Sequence, residues 1–262
     1  MAATTPATIA PAASTQPDPF PYGWRYVERR TPEGHKVLEQ VPLTLEDVLH
    51  PQEGDQVTHS DVHQRICVYL YNVFRGLVAA MAGAVVLHDV RVAWDVPELK
   101  AHGPDLSVIF GVRARKNWST FDVAQEGVRP TIIVEVTSPE TRSIDLTDKL
   151  EEYDLAGVAL YIIVDLVRRR DQIVPRLLGY QRTPALYAVL PPDERGWLWL
   201  EPLKIWLGLE GSHVVCYDER GAPIGDYAEL QVALDAEVEA RVAAEQRVQE
   251  LEAELRRLRG EA

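Results

Sequence analysis

The chain has 262 residues, 46% of them hydrophobic, and a formal net charge of −13. That length allows one sizeable core plus appendages, and the apolar content excludes a chain that stays disordered throughout. The acidic balance excludes a general nucleic-acid coat, whose surface is basic, but not an enzyme that gathers carboxylates around a metal ion.

Residues 1–20 are rich in Ala, Thr and Pro without periodicity and read as a disordered tail. Thr44 is placed to cap a short helical turn over 44–49, with Asp47 at its third helical position. A long amphipathic helix is predicted at about 59–81, because Val62, Ile66, Tyr69, Leu70, Val73 and Leu77 recur on one face and Gly83 ends the pattern. Residues 84–94 alternate and carry β-branched side chains, as a strand does. The runs at 105–110 and 131–137 are short and apolar, the mark of strands covered on both faces.

A helix follows over 143–156, with Ser143 as cap and Gly157 as stop, and then a buried strand over 158–165. Strand, helix, strand at this spacing reads as one crossover unit with parallel neighbours. Beyond 172, short apolar runs and the Pro191-Pro192 turn predict antiparallel strands and hairpins. Arg168, Arg169 and Arg170 read as a solvated turn. From 226 to 262 there is no proline, and Val248, Leu251, Leu255 and Leu258 step by three, four and three. That spacing predicts a self-associating coiled coil, against the plainer alternative of a helix packed on its own domain. Arg241 and Glu237 weaken the middle of the seam, which shifts through Val238 and Val242.

Two acids stand out. Asp105 follows Pro104 at a strand mouth, and Glu135 lies inside an apolar run, thirty positions later. A carboxylate buried there needs a cation or a hydrogen-bond partner. Lys149, fourteen positions beyond, borders the buried face of its helix, while Asp148 and Glu151 point away. Two carboxylates and an ammonium suit Mg²⁺, which prefers oxygen ligands, and a phosphodiester; a salt bridge without catalysis is the plain alternative. Arg113, Arg115 and Lys116, followed by Asn117 and Trp118, form a basic-aromatic stretch able to grip phosphates and stack on a base, or else a solvated loop. His59 reads as structural. His63 borders the helix face, and His102-Gly103 forms a loop before Pro104.

The passage PDLSVIF, then IIVEVTSPETRSIDLTDKLEEYDLAGVALYIIVD, resembles the Uma-type restriction-endonuclease family of the PD-(D/E)XK nuclease superfamily over about residues 55–210; HQRI at 63–66 adds to the match. The resemblance implies an α/β restriction-endonuclease-like fold, a central mixed sheet flanked by helices, and Mg²⁺-dependent cleavage of DNA, with Mn²⁺ as a substitute. It makes Asp105 and Glu135 the metal ligands, Lys149 the catalytic cation and His63, with Gln64, the contribution of the first helix. One departure stands: the lysine expected two residues after the Glu is Thr137, and Lys149 on the following helix takes its part. The chain thus divides into a tail (1–20), a nuclease domain (21–225) and a helical coiled-coil tail (226–262) that makes a homo-oligomer, a dimer above all. The alternative is a nuclease-fold protein that no longer cuts and serves as an oligomeric binding or regulatory module. Cys67 and Cys216 predict neither a disulfide framework nor a zinc motif, and no run is long enough to span a membrane. With no secretory signal at the N-terminus, these fit the cytoplasm.

Overall fold

A ribbon of two antiparallel strands, β1 (Trp24–Arg30) and β2 (Lys36–Pro42), leads into helices α1 (Leu45–Leu49) and α2 (Asp61–Val78). Next come β3 (Val85–His88), β4 (Arg91–Ala93), β5 (Leu106–Ile109), β6 (Thr120–Asp122), α3 (Val123–Glu126) and β7 (Pro130–Val136). Helices α4 (Arg142–Leu146) and α5 (Asp148–Leu155) bridge to β8 (Leu160–Arg169) and β9 (Gln172–Arg182). Strands β10 (Tyr187–Val189), β11 (Leu198–Leu200), β12 (Ile205–Glu210), β13 (His213–Tyr217) and β14 (Pro223–Ile224) precede the last helix, α6 (Tyr227–Arg259). This computed structural model describes residues 19–32, 34–57, 59–138, 142–169, 172–225 and 227–259. Residues 1–18, most of the stretch read as a disordered tail, lie outside them.

The central sheet has six strands in the order β10-β9-β8-β7-β5-β3. Strands β7 and β8 are parallel and the other pairs antiparallel, so the sheet is mixed and the crossover between β7 and β8 is α4 and α5. Alternation along the strands sorts the two faces. Ile132, Val134 and Val136 pack with Ile66, Leu70 and Phe74 of α2, while Ile133 and Ile163 pack with Tyr153 and Ala156 at the end of α5. A four-stranded sheet, β11-β12-β13-β14, closes the core on the α2 side through Leu198, Leu207 and Cys216.

Three predicted elements come out differently. The run at 84–94 is two strands, because Asp89 takes a left-handed turn (φ +54°) and β4 leaves the main sheet to pair with β6. The helix at 143–156 is broken at Thr147, whose hydroxyl donates to the carbonyl of Ser143 at 2.7 Å, a back-bond that bends helices. Ser143 therefore falls inside α4 rather than capping it. Arg168 and Arg169 continue β8 instead of forming a turn, since β9 pairs with it along its whole length. After α2 the chain reverses through Gly83 (φ +70°), where a Cβ would lie 2.9 Å from the Val112 carbonyl oxygen, so no other residue fits without displacement.

Helix α6 has 33 residues, and every described side chain from 234 to 259 is exposed. Over that stretch it does not pack on its own domain. Leu234, Val238, Val242, Val248, Leu251 and Leu255 all face solvent. The side chain of Leu258, the last of the seam, lies outside the described residues.

Candidate active site

Asp105 and Glu135 meet because two antiparallel strands are in register. The ladder of β5 and β7 pairs Leu106 with Val134. One step further along each strand the two acids come abreast, and the Asp105 N–H points to Glu135 Oε2 across 3.4 Å. Glu135 lies two residues beyond Ile133 and shares its face of the sheet, the side covered by α5. Asp105 is held from two sides: its Oδ2 accepts the Val136 N–H at 2.7 Å, and its Oδ1 lies 3.1 Å from Nε2 of His63 in the first turn of α2. Ser60 caps that turn by accepting the His63 N–H, which fixes the histidine's backbone.

Helix α5 delivers the cation. Lys149 Nζ lies 3.0 Å from Glu135 Oε1 and 2.9 Å from Asp145 Oδ1, and all three side chains are buried. One turn further on, the Tyr153 hydroxyl donates to the same Glu135 oxygen at 2.7 Å. Asp105, Glu135, His63, Asp145 and Lys149 line a cleft of about 240 Å³, whose other walls include residues 51–55, Val57, Ser119 and Thr120. The cleft lies where β7 ends beside its parallel neighbour β8, the carboxyl edge at which open α/β sheets place their ligands.

Burial opposes charge here, and the neighbours decide each outcome. Burial pushes Asp105 up, but the hydrogen bond and charge of His63, then Lys149, hold it down to about 2. Burial drives Glu135 up to about 7 against the pull of Lys149, with Asp105 and Asp145 adding repulsion. Lys149 is opposed by burial and still held above its ordinary range by Asp145 and Glu135. Burial lowers His63, yet its bond to Asp105 raises it overall. Burial, followed by the charge of His63, brings His59 down to about 4.

Among the described residues, two groups of side chains bring three ligand-type atoms within 4.8 Å of one another: His59, His63 and Asp105, and His50, His102 and Glu152. Chemistry disfavours an ion in either. The rings of His59 and His63 stack 4.1 Å apart at 9°. An imidazole lone pair lies in its ring plane, so one ion cannot sit in both planes of a parallel stack. In the second group, Trp94 Nε1–H donates to His102 Nδ1 at 2.7 Å. Indole nitrogen only donates, so His102 carries its own hydrogen on Nε2, the atom that would have to bind the ion. That leaves Asp105 and Glu135, an all-oxygen pair suited to a hard divalent cation.

The family model Uma2, described as "Putative restriction endonuclease", matches residues 53–210. The chain belongs to the Uma2 family. A crystal structure of "a putative nuclease belonging to DUF820 from Anabaena variabilis ATCC 29413" is 18% identical, covers 59% of this chain and 81% of its own, and superposes with a TM-score of 0.41. No curated protein matches the chain.

The Uma2 match contains the passage in which Thr137 stands two residues after Glu135. Thr137 is buried: its hydroxyl donates to Asp165 Oδ1 at 3.2 Å and accepts the Leu166 N–H at 2.9 Å. Asp165 is gripped in turn by Arg142 and Arg176. Thr137 thus ties β7 to β8 and to the start of α4, and the ammonium beside Glu135 comes from α5.

Gln64, paired with His63 by resemblance, is exposed and does not line the cleft. Arg113 and Arg115 are exposed on the loop that ends in the cleft wall at Ser119 and Thr120. Lys116 instead pairs with Glu126 at 2.8 Å, and Trp118 donates to the same carboxylate while packing on Phe121, so neither is presented freely. Sequence reasoning missed Asp145 and Tyr153. The signal was available, since Asp145, Lys149 and Tyr153 recur at helical spacing. Asp145, however, carries no mark that separates it from the exposed Asp148 and Glu151.

Proposed function

We propose that this Uma2 chain is a nuclease: a divalent-cation-dependent endonuclease that hydrolyses phosphodiester bonds of DNA. The observation that carries this reading is Asp105 and Glu135 lying abreast, with Lys149 Nζ 3.0 Å from Glu135. Asp105 and Glu135 are the residues that would hold Mg²⁺, with Mn²⁺ as a substitute. When bound, such an ion polarises a phosphate and lowers the pKa of a water molecule.

The chain's own residues do the rest. His63 and the Val136 N–H orient the Asp105 carboxylate and still leave a lone pair on each of its oxygens. Tyr153 holds Glu135 Oε1, which turns Oε2 toward Asp105. Lys149 places a fixed positive charge where a pentavalent phosphate gathers negative charge, in a site that buries its own groups and so strengthens the interaction. Arg113 and Arg115 hold the backbone of the substrate beside the cleft. Helix α6 pairs with that of a second copy along its exposed apolar residues, which gives a dimer with two sites. Both cysteines are buried and free, in keeping with a cytoplasmic protein.

The decisive experiment incubates plasmid with the protein in Mg²⁺ or Mn²⁺, and with the variants Asp105→Asn and Glu135→Gln. Wild type should nick or linearise the DNA, chelation should stop it, and each variant should be at least about 100-fold slower. Equal behaviour of wild type and variants would overturn the reading. One observation favours a second one, a binding module that does not cut: Lys149 already bridges Glu135 and Asp145, so an ammonium engages one of the two proposed metal ligands.

A further inference from the structure

The candidate site is assembled from two bodies. The carboxylates stand on the sheet, whereas Lys149 and Tyr153 ride on α5. That helix has eight residues, and its first turn has no side-chain cap, because Thr147 makes no capping bond. Something else must set its distance from Asp105.

His102 is fully buried and lies three residues ahead of Asp105. Its backbone is pinned to β4 in both directions: the Val92 N–H donates to the His102 carbonyl at 2.7 Å, and the His102 N–H to that of Val92 at 3.1 Å. Its ring is locked as well. Trp94 donates to Nδ1, so Nε2 carries the hydrogen and donates it to Glu152 Oε2. Burial keeps the imidazole below its ordinary pKa and so in this neutral form. Glu152 belongs to α5. It is the residue before Tyr153, whose ring lies 4.9 Å from that of His102, and it follows Lys149 by three.

Resting on the reading of the site given above, we propose that His102 and Glu152 form a latch between the segment 102–105, which leads through Asp105 into β5, and helix α5. The latch sets the depth at which Lys149 and Tyr153 reach Glu135. Both are positioning residues and touch neither substrate nor cation. The contacts they govern, at 3.0 Å and 2.7 Å, do not survive a shift of the helix by about 1 Å, a misplacement of the size that costs roughly 100-fold in rate.

The test reads Lys149 directly. In protein labelled with ¹⁵N-lysine, the buried ammonium of Lys149 should give a slowly exchanging NMR cross-peak, assigned by its loss in Lys149→Arg. Glu152→Ala and His102→Ala should broaden or abolish that cross-peak while circular dichroism shows a folded chain. Glu152→Gln, whose amide oxygen still accepts from His102, should restore it. On DNA, kcat of the alanine variants should fall about 10- to 100-fold with KM changed less than about twofold. If His102→Ala does not fold, the Glu152 pair carries the test. An unchanged cross-peak in folded Glu152→Ala, or its equal loss in Glu152→Gln, overturns the latch. A wild type that cuts no DNA but shows the expected cross-peak pattern upholds the latch and sinks the nuclease reading alone.

Discussion

Glu135 is the residue on which the site's electrostatics turn. Its carboxyl is driven up to about 7 by burial, although an ammonium lies 3.0 Å away. The folded pKa exceeds that of the unfolded chain, so between about 4.5 and 7 the folded state binds the extra proton. The resulting stabilisation is complete below about 4.5 and is lost as pH rises through about 7. His59, held down to about 4, acts with the opposite sign over much of the same range, so the Glu135 contribution is read as a difference: the unfolding free energy of the cation-free protein in urea, minus that of Glu135→Gln, should fall over that interval by at most about 1.4 kcal/mol per pH unit. Glu135→Gln by itself should show stability rising with pH as His59 loses its proton; a difference that does not change with pH would show that Glu135 does not titrate in this range. A divalent ion competes with the same proton, which makes its binding tighter as pH rises. Tyr153 and Asp145 belong to the same unit: one donates to Glu135, and the other shares Lys149 with it. Neither was picked out in the sequence, because a tyrosine on an apolar helix face reads as core and an acid beside other acids reads as surface.

At the scale of elements, two helices were legible to different degrees. Helix α2 was plain from its apolar period, and its packing on the sheet follows from that stripe. The break between α4 and α5 was not, since a single Thr-to-carbonyl bond decides it and local propensity is indifferent to it. Helix α6 is the reverse case, with a clear pattern and, from residue 234 onward, described side chains that are all exposed. Its exposed Leu234, Val248, Leu251 and Leu255 are the stripe along which the proposed second helix would pack. Deletion of residues 226–262 should convert a dimer to a monomer in light scattering while leaving the domain folded. An unchanged mass would rule out α6 as the self-association element.

For the molecule as a whole, the question is how a chain of net charge −13 would meet the polyanion proposed as its substrate. Part of the acid sits in the exposed tail helix, remote in sequence from the cleft, and part is consumed in ion pairs such as that of Lys116 with Glu126. Exposed Arg113 and Arg115 remain on the loop leading into the cleft wall. If they neutralise two phosphates, Arg113→Ala with Arg115→Ala should weaken duplex binding and reduce the slope of log K against log salt by about 2. Fluorescence anisotropy with Ca²⁺ in place of Mg²⁺ measures this without cleavage. A slope that does not change would remove these arginines from the interface. Lys116 and Trp118 looked equal to them in the sequence, and only Glu126, folded back from α3, withdraws them.

What the chain's order of residues determined by itself was which side chains need a partner. An acid inside an apolar strand must find a cation or a donor wherever the strand goes, and the period of α2 and the seam of α6 are written in single-stretch patterns. The tertiary structure alone decided which partners each acid finds. That Asp105 comes abreast of Glu135 depends on strand register, and that Lys149 reaches Glu135 depends on where α5 lies against the sheet. Register and helix docking are set by contacts between residues far apart in the chain, so no local stretch of sequence contains them.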